Sequence, residues 1–225
     1  MTRDEVVGHL TAELIRVAGT AIAARGRFSL AVPGGSVAHA VLPRLATAPI
    51  DWRAVDIFLA DDRDVATESP ESNERLVREL LLRPLGLDAP SLHPLVACGV
   101  PLSEAAARAA RDLTAALGTP PRLDLVLLGV GEDGHVASLF PGHPALTDPA
   151  WVVPVTDAPK PPPRRLSLGL ETLAAARQVW FAAFGAGKAH VVAELRGNPA
   201  SELPAARVAN RASDVRWWLD ADAGG

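Results

Sequence analysis

A run of apolar residues that ends in a glycine-rich turn constrains the fold of this chain more than any other feature. Residues 123–129 read LDLVLLG, and only Asp124 interrupts the run. An apolar run of this length without alternation is typical of a strand that is buried on both faces of a parallel sheet. We therefore predict a central strand here, in an α/β fold whose helices cover the sheet.

The turn after this strand carries the best candidate for a catalytic group. Gly129, Gly131 and Gly134 allow a sharp turn with free backbone N–H groups, and Asp133 and His135 lie within it. Open α/β sheets bind ligands at the carboxyl ends of their strands, and histidine titrates near neutral pH. His135 is therefore a candidate general base, although a lone histidine is more often a surface or core residue. The glycine spacing also suggests a dinucleotide site, but no acidic residue closes a following strand at the expected distance.

Composition narrows the class of protein. The 225 residues, 48% of them hydrophobic, predict one α/β domain over residues 1–225 and no transmembrane span. The segment MTRDEVVGHL lacks the basic and apolar regions of a secretory signal, and a single cysteine, Cys98, is typical of a reducing cytosol. We expect a cytoplasmic monomer. A net charge of −4 gives no reason to expect nucleic-acid binding.

A second strand end has the features of an anion-binding turn. Phe28–Val32 reads as a strand and is followed by Gly34, Gly35 and Ser36, after which residues 37–45 read as a helix. Free N–H groups and a helix dipole converge at such a turn and attract anions. A tight turn in which serine only caps the helix is an equally good interpretation.

A third strand end is strongly charged. Residues 55–60 read VDIFLA, a buried strand, and lead directly into Asp61, Asp62 and Arg63. The simpler interpretation is a solvated loop. If the segment instead faces the same cleft as His135, Arg63 can stabilise negative charge there.

Only two of the 22 basic residues, Lys160 and Lys188, are lysines. In a chain that otherwise uses arginine, a lysine can be present because its function needs a compact ammonium, which a planar guanidinium cannot replace. Lys188 follows a strand-like run, which makes it a candidate functional cation. The proline-rich residues 157–165 predict an exposed connecting loop, or else a rim that delivers Arg164 or Arg165 to a phosphate.

The rest of the chain alternates helix and strand patterns, which supports one doubly wound domain. Residues 3–25 have the spacing of an amphipathic helix that ends at Gly26. Further predicted helices are residues 72–84, 103–117 with Ser103 as its N-cap, 171–176 and 188–195. Further predicted strands are residues 92–96, 151–155, 166–170, 179–184 and 215–219.

These motifs occur together and in the same order in one known family. The chain resembles the 6-phosphogluconolactonase family over nearly its whole length. The most specific motif is GxGxDGHxASLFPGHP, which residues 129–144 match without a gap. Pro33 and Asp62 depart from the family pattern, which usually has serine and glutamate there. The other shared motifs are Gly34-Gly35-Ser36, Asp61-Asp62-Arg63, PPPRRLSL with Arg165, GAGK with Lys188, and LPAARV followed by VRWWLD.

The resemblance implies hydrolysis of 6-phospho-D-glucono-1,5-lactone to 6-phosphogluconate, in the oxidative branch of the pentose phosphate pathway. It also implies a three-layer α/β/α sandwich around a mostly parallel sheet, as in ribose-5-phosphate isomerase and glucosamine-6-phosphate deaminase. His135 would activate water, Asp133 would orient the motif or the imidazole of His135, and Arg63 would stabilise the oxyanion or hold substrate. The residues that would bind the phosphate and the sugar are Gly34, Gly35, Ser36, Asp61, Arg165 and Lys188.

No metal ion or other cofactor is expected, because a lactone is an activated ester that a general base can hydrolyse. The only expected partner is a sugar-phosphate lactone, with no nucleic acid and no membrane. A glucosamine-6-phosphate deaminase would carry a glutamate where this chain has Phe140, five residues after His135. A sugar-phosphate sensor would carry a fused helix-turn-helix, for which the first helix leaves no room. A catalytically inactive relative is disfavoured because Arg63, Asp133 and His135 are all present.

Overall fold

A computed structural model describes residues 1–86, 92–96 and 99–225 of the chain, so Cys98 lies outside the described residues. The strands are β1 (Phe28–Val32), β2 (Val55–Leu59), β3 (Asp61–Arg63), β4 (Leu92–His93), β5 (Leu125–Gly129), β6 (Val152–Val155), β7 (Arg165–Leu168), β8 (Gln178–Ala183) and β9 (Val215–Leu219). The helices are α1 (Arg3–Arg25), α2 (Gly35–Leu45), α3 (Asn73–Val77), α4 (Arg83–Leu85), α5 (Leu102–Leu117), α6 (Leu170–Ala174), α7 (Ala189–Gly197) and α8 (Pro204–Arg211).

A six-stranded sheet in the order β4-β2-β1-β5-β8-β9 forms the centre of the molecule, and all its strand pairs are parallel. All of β1 and the first four residues of β5 are buried. The predicted α/β fold and its central strand are therefore confirmed. The strand begins at Leu125 and not at residue 123, because the carboxylate of Asp124 accepts hydrogen bonds from the backbone and hydroxyl of Ser29 at the edge of the sheet.

A second, antiparallel sheet has the strand order β3-β7-β6. In it Asp61 pairs with Ser167, and Arg63 pairs with Arg165. The interpretation of the acidic segment as a solvated loop is therefore wrong: Asp61 is 6% and Asp62 2% exposed. Their burial is possible because both carboxylates find hydrogen-bond donors, described below.

The first helix matches its prediction at both ends. Thr2 and Glu5 form a capping box at its start, and Gly26 ends it in the left-handed conformation. By length and composition alone α1 is apolar enough to cross a membrane, which is weak evidence because a core helix passes the same test. Its buried face packs against β1, β9 and α2, as expected of a core helix.

Several local predictions differ from the structure. The strand predicted over residues 92–96 extends only over Leu92–His93. The helix over residues 103–117 begins at Leu102 with Pro101 as its N-cap, so Ser103 is not the cap. The helix that begins at Asn73 continues past Pro84 to Leu85, because the turn before it widens to a π-helix over Arg78–Leu82. Helix α8 was not predicted, although a proline in its first turn is a common helix start.

Candidate active site

A cavity of about 290 Å³ opens at the carboxyl ends of β1, β2, β5 and β8. Strand order reverses between β1 and β5, since β2 and β4 follow on one side and β8 and β9 on the other. Open α/β sheets bind ligands at such a reversal point. Asp133 contacts His135 beside the cavity. The other predicted site residues all line it: Gly34, Gly35, Ser36, Asp61, Arg63, His135, Arg165 and Lys188.

His135 reaches the cavity from the glycine-rich turn that follows β5. Its Nδ1 shares a hydrogen bond with Oδ1 of Asp133, and its Nε2 has no hydrogen-bond partner among the described residues. The imidazole is 19% exposed and packs on the buried ring of Phe140, with 4.7 Å between the ring centroids. Gly131 leaves room for it, because a Cβ there would overlap the imidazole. One ring nitrogen is thus held by a carboxylate while the other stays available to a ligand.

Burial and neighbouring charges set the protonation of this pair. Burial lowers the pKa of His135; the hydrogen bond and charge of Asp133 oppose that shift, as does the charge of Asp61, while Lys160 lowers the pKa further. Burial acts to raise the pKa of Asp133, but its hydrogen bond with His135 and the charges of His135 and Lys160 lower it overall. At neutral pH the imidazole is therefore mostly unprotonated and the carboxylate ionised, as a general base and its orienting partner require.

The amino terminus of α2 borders the same cavity. Gly34 is the N-cap, the helix begins at Gly35 and Ser36, and within the described part of the chain no side chain caps it. Its free N–H groups and the helix dipole form a site for an anion. Asn73 packs tightly on this turn, since a Cβ on Gly34 would overlap its carboxamide, which donates to the main-chain and side-chain oxygens of Asp61.

The two buried aspartates at the start of β3 have different partners. Asp61 lines the cavity and accepts a hydrogen bond from Ser138 Oγ at 2.6 Å. Asp62 instead accepts from the backbone N–H groups of Asn73 and Glu74 at 2.7 and 3.0 Å, at the start of α3. Burial raises the pKa of Asp62 to about 6 even though these N–H groups favour its charged form. The departure from the family pattern at residue 62 therefore falls on a carboxylate that supports a helix.

Arg63 and Arg165 lie opposite each other in the β3–β7 pair, and both reach the cavity. Arg63 donates from Nη1 to the carbonyl of Glu71 at 2.6 Å. Arg165 is 4% exposed and donates from Nε and Nη2 to the three successive carbonyls of residues 160–162, at 2.8 to 3.3 Å. Burial lowers the pKa of Arg165. The guanidinium of Arg165 is thus largely engaged in holding the proline-rich loop.

Three polar side chains that line the cavity were not among the predicted site residues: Glu132, Lys160 and Asn73. Nζ of Lys160 lies 3.5 Å from Oδ2 of Asp133. Burial lowers the pKa of Lys188, and the charge of Glu132 opposes that shift. The scarcity of lysine in the sequence was a signal for Lys160, because both of the chain's lysines line this one cavity.

Comparison with known proteins identifies the family. The family described as glucosamine-6-phosphate isomerases/6-phosphogluconolactonase matches residues 1–217. The chain belongs to this family. The chain is similar to the 6-phosphogluconolactonase of Rattus norvegicus, with 40% identity over 205 residues that cover 87% of this chain and 79% of the relative.

Two further 6-phosphogluconolactonases are similar to this chain, one in sequence and one in structure. The 6-phosphogluconolactonase of Streptomyces coelicolor is 38% identical over 227 residues, which cover 94% of this chain and 87% of the relative. The solved structure of 6-phosphogluconolactonase from Trypanosoma brucei is 27% identical and superposes with a TM-score of 0.84, covering 99% of this chain and 94% of that one. The resemblance drawn from the motifs is therefore confirmed.

Proposed function

We propose that the protein hydrolyses 6-phospho-D-glucono-1,5-lactone to 6-phosphogluconate, with His135 as general base and without a metal ion. The observation that carries the proposal is the imidazole, because Asp133 holds Nδ1 while Nε2 has no hydrogen-bond partner among the described residues. The ring lies beside a cavity with four cationic side chains and a helix amino terminus. The names of relatives that are 38 to 40% identical over most of the chain support the substrate.

In the proposed reaction, Nε2 of His135 takes a proton from water while the water oxygen attacks C1 of the lactone. The carbonyl oxygen becomes an oxyanion, which the guanidinium of Arg63 stabilises. The bond from C1 to the ring oxygen then breaks, and the imidazolium returns its proton to that oxygen. The products are a hydroxyl group at C5 and a carboxylate at C1, whose proton passes to solvent.

The substrate phosphate carries a charge between about −1.5 and −2 at pH 7. It is assigned to the turn of Gly34, Gly35 and Ser36, with its free N–H groups, together with Lys188 and Arg165. Asp61 is buried at the cavity wall with one oxygen held by Ser138 and contacts the sugar in this proposal. The opposite ends of the substrate thus meet a general base and an anion site in one cavity.

The decisive experiment compares freshly prepared 6-phosphogluconolactone with the unphosphorylated lactone, following acid release in a pH-stat and subtracting spontaneous hydrolysis. A higher kcat/KM for the phosphorylated compound supports both the base and the anion site. Equal rates for the two compounds, or none above the spontaneous rate, would contradict the proposal. Glucosamine 6-phosphate serves as the control substrate, and ammonia release from it would favour a deaminase instead.

Among the described residues, no three His, Cys, Asp or Glu side chains converge as metal ligands. Metal independence is part of the proposal, and dialysis against EDTA tests it: activity should survive, and a loss that Zn²⁺ or Mg²⁺ restores would contradict it. The single domain, the monomeric state and the cytoplasmic location stay predictions.

A further inference from the structure

The proline-rich loop places one of the chain's two lysines beside the proposed catalytic pair. The buried guanidinium of Arg165 donates to the main-chain carbonyls of Lys160, Pro161 and Pro162, at 2.8, 3.3 and 3.0 Å. Three hydrogen bonds from one rigid, planar group fix this part of the loop more firmly than a single contact would. The backbone at Lys160 is therefore held, while its side chain extends to the cavity.

The two oxygens of Asp133 contact different groups. Oδ1 pairs with Nδ1 of His135, and Oδ2 lies 3.5 Å from Nζ of Lys160. A carboxylate held at one oxygen only can rotate and carry the imidazole with it. A carboxylate held at both oxygens fixes the plane of the imidazole and the tautomer in which Nδ1 carries the proton and Nε2 is the base.

We propose that Lys160 is a positioning residue: its ammonium contacts the second oxygen of Asp133, so that His135 stays oriented toward the cavity. The proposal rests on the proposed function for its catalytic meaning, but the contact itself can be tested without any substrate. It assigns Arg165 the additional task of anchoring the loop that carries Lys160.

The charges around His135 give the expected direction. Asp133 and Asp61 act to raise its pKa, and Lys160 acts to lower it. The other charged side chains that line the cavity are Glu132, Lys188, Arg63 and Arg165. Removal of the Lys160 ammonium takes away a positive charge beside the imidazole, so the pKa of His135 should rise. At acidic pH a smaller fraction of the imidazole should then be unprotonated and able to act as a base.

The test compares Lys160→Met with Lys188→Met, which removes the chain's other lysine from the same cavity. The pKa of His135 is measured by NMR titration of the intact protein, with His135→Asn identifying its signal among the six histidines. In Lys160→Met we expect this pKa to rise by on the order of half a unit. The pH profile of kcat/KM should shift to higher pH by the same amount. At a pH below the pKa of His135, kcat/KM should therefore fall about threefold.

Lys188→Met should leave the pKa of His135 nearly unchanged and act mainly on KM, because Glu132 is the strongest charged neighbour of Lys188 and the proposed function assigns Lys188 to the phosphate. Lys160→Arg should restore the pKa, since it returns the positive charge. An unmoved His135 titration in Lys160→Met overturns the inference, as does a fall in kcat/KM by the same factor at every pH, which would indicate direct substrate binding. If the protein hydrolyses no lactone, the proposed function fails while the NMR titration still decides the role of Lys160.

Discussion

Residues without reactive groups shape the site as much as the imidazole does. Gly131 leaves the space that the His135 ring occupies, and Phe140 packs against that ring. Phe140 also lies under the guanidinium of Arg165, 5.6 Å from its ring centroid. An apolar ring at this position supports two functional side chains but cannot transfer protons, which is consistent with lactone hydrolysis and not with a deaminase glutamate.

Replacement of His135 by asparagine should remove the base and keep a side chain of similar size. We expect kcat to fall by about 10²–10⁴, because general-base catalysis typically contributes that much. Binding of the product 6-phosphogluconate, measured by calorimetry, should change little, since the anion site is untouched. A variant with full turnover would show that another group activates water.

Gly131→Ala should impair activity without removing any functional group. The added Cβ would overlap the imidazole of His135 and a carboxylate oxygen of Asp133, so the pair must shift. The matched control is Gly19→Ala in α1, where no described atom outside the neighbouring residues and the backbone of the helix itself lies within 4 Å of the added Cβ. We expect kcat/KM to fall only in Gly131→Ala, and the unfolding free energy of Gly19→Ala to rise by about 0.5–1 kcal/mol. Equal activity of the two variants would contradict the steric argument.

At the scale of single elements, strands were predicted more accurately than helix ends. Phe28–Val32 and Val215–Leu219 have the predicted bounds, because runs of apolar and β-branched residues identify buried strands locally. β3 was missed because three charged residues form a buried strand only when β7 is already beside them. The start of α3 depends likewise on a tertiary contact, since the carboxylate of Asp62 comes from another element.

Asp62 should make stability depend on pH. Its pKa is raised from 3.8 to about 6 on folding, so the native state holds its proton more tightly than the unfolded chain. The stability that this group contributes is complete below about pH 3.8 and is lost as the pH rises through about 6. The loss amounts to up to roughly 3 kcal/mol.

Asp62→Asn tests this effect because the amide does not titrate. The unfolding free energy of the native protein minus that of the variant, from urea titrations, should decrease between pH 4.5 and pH 7. A difference that stays constant over this interval would mean that the pKa of Asp62 is not raised in the folded protein. The comparison cancels the titration of other carboxylates that both proteins share.

At the scale of the whole molecule, the carboxyl and amino ends of the strands of the main sheet have different roles. The carboxyl edge carries the cavity, whereas at the amino edge Asp124 joins β1 to β5 through Ser29 and pairs with Arg25 and Arg177 at 2.6 and 3.2 Å. Helices of such a fold end near the amino edge, where their last carbonyls carry partial negative charge. Arginine side chains at this edge can also donate hydrogen bonds to these carbonyls. Arg122, for example, donates to the carbonyl of Ala175 just after α6.

Asp124→Ala should therefore cost stability and not activity. Its side chain is 8% exposed and has four polar contacts, so its loss leaves Ser29 and two arginines without their partner. We expect a loss of roughly 3 kcal/mol, because the buried N–H group of Ser29 loses its acceptor and two half-exposed ion pairs are broken. Tm should fall by about 6–12 °C for a chain of this size. Calorimetry measures Tm, and kcat/KM at 20 °C should match that of the native protein; lower kcat/KM with unchanged Tm would contradict the division between the edges.

The sequence by itself determined that the protein is an α/β fold with a central strand and that glycines, an imidazole and cations follow its strand ends. These features could be predicted because hydrophobic periodicity and glycine turns are local patterns, each contained within a few consecutive residues. Only the tertiary structure decided that Asp61–Arg63 is a strand, that Asp62 supports a helix, and that Lys160 meets Asp133. Each of these outcomes depends on the pairing of segments far apart in the chain, and such pairing has no local pattern.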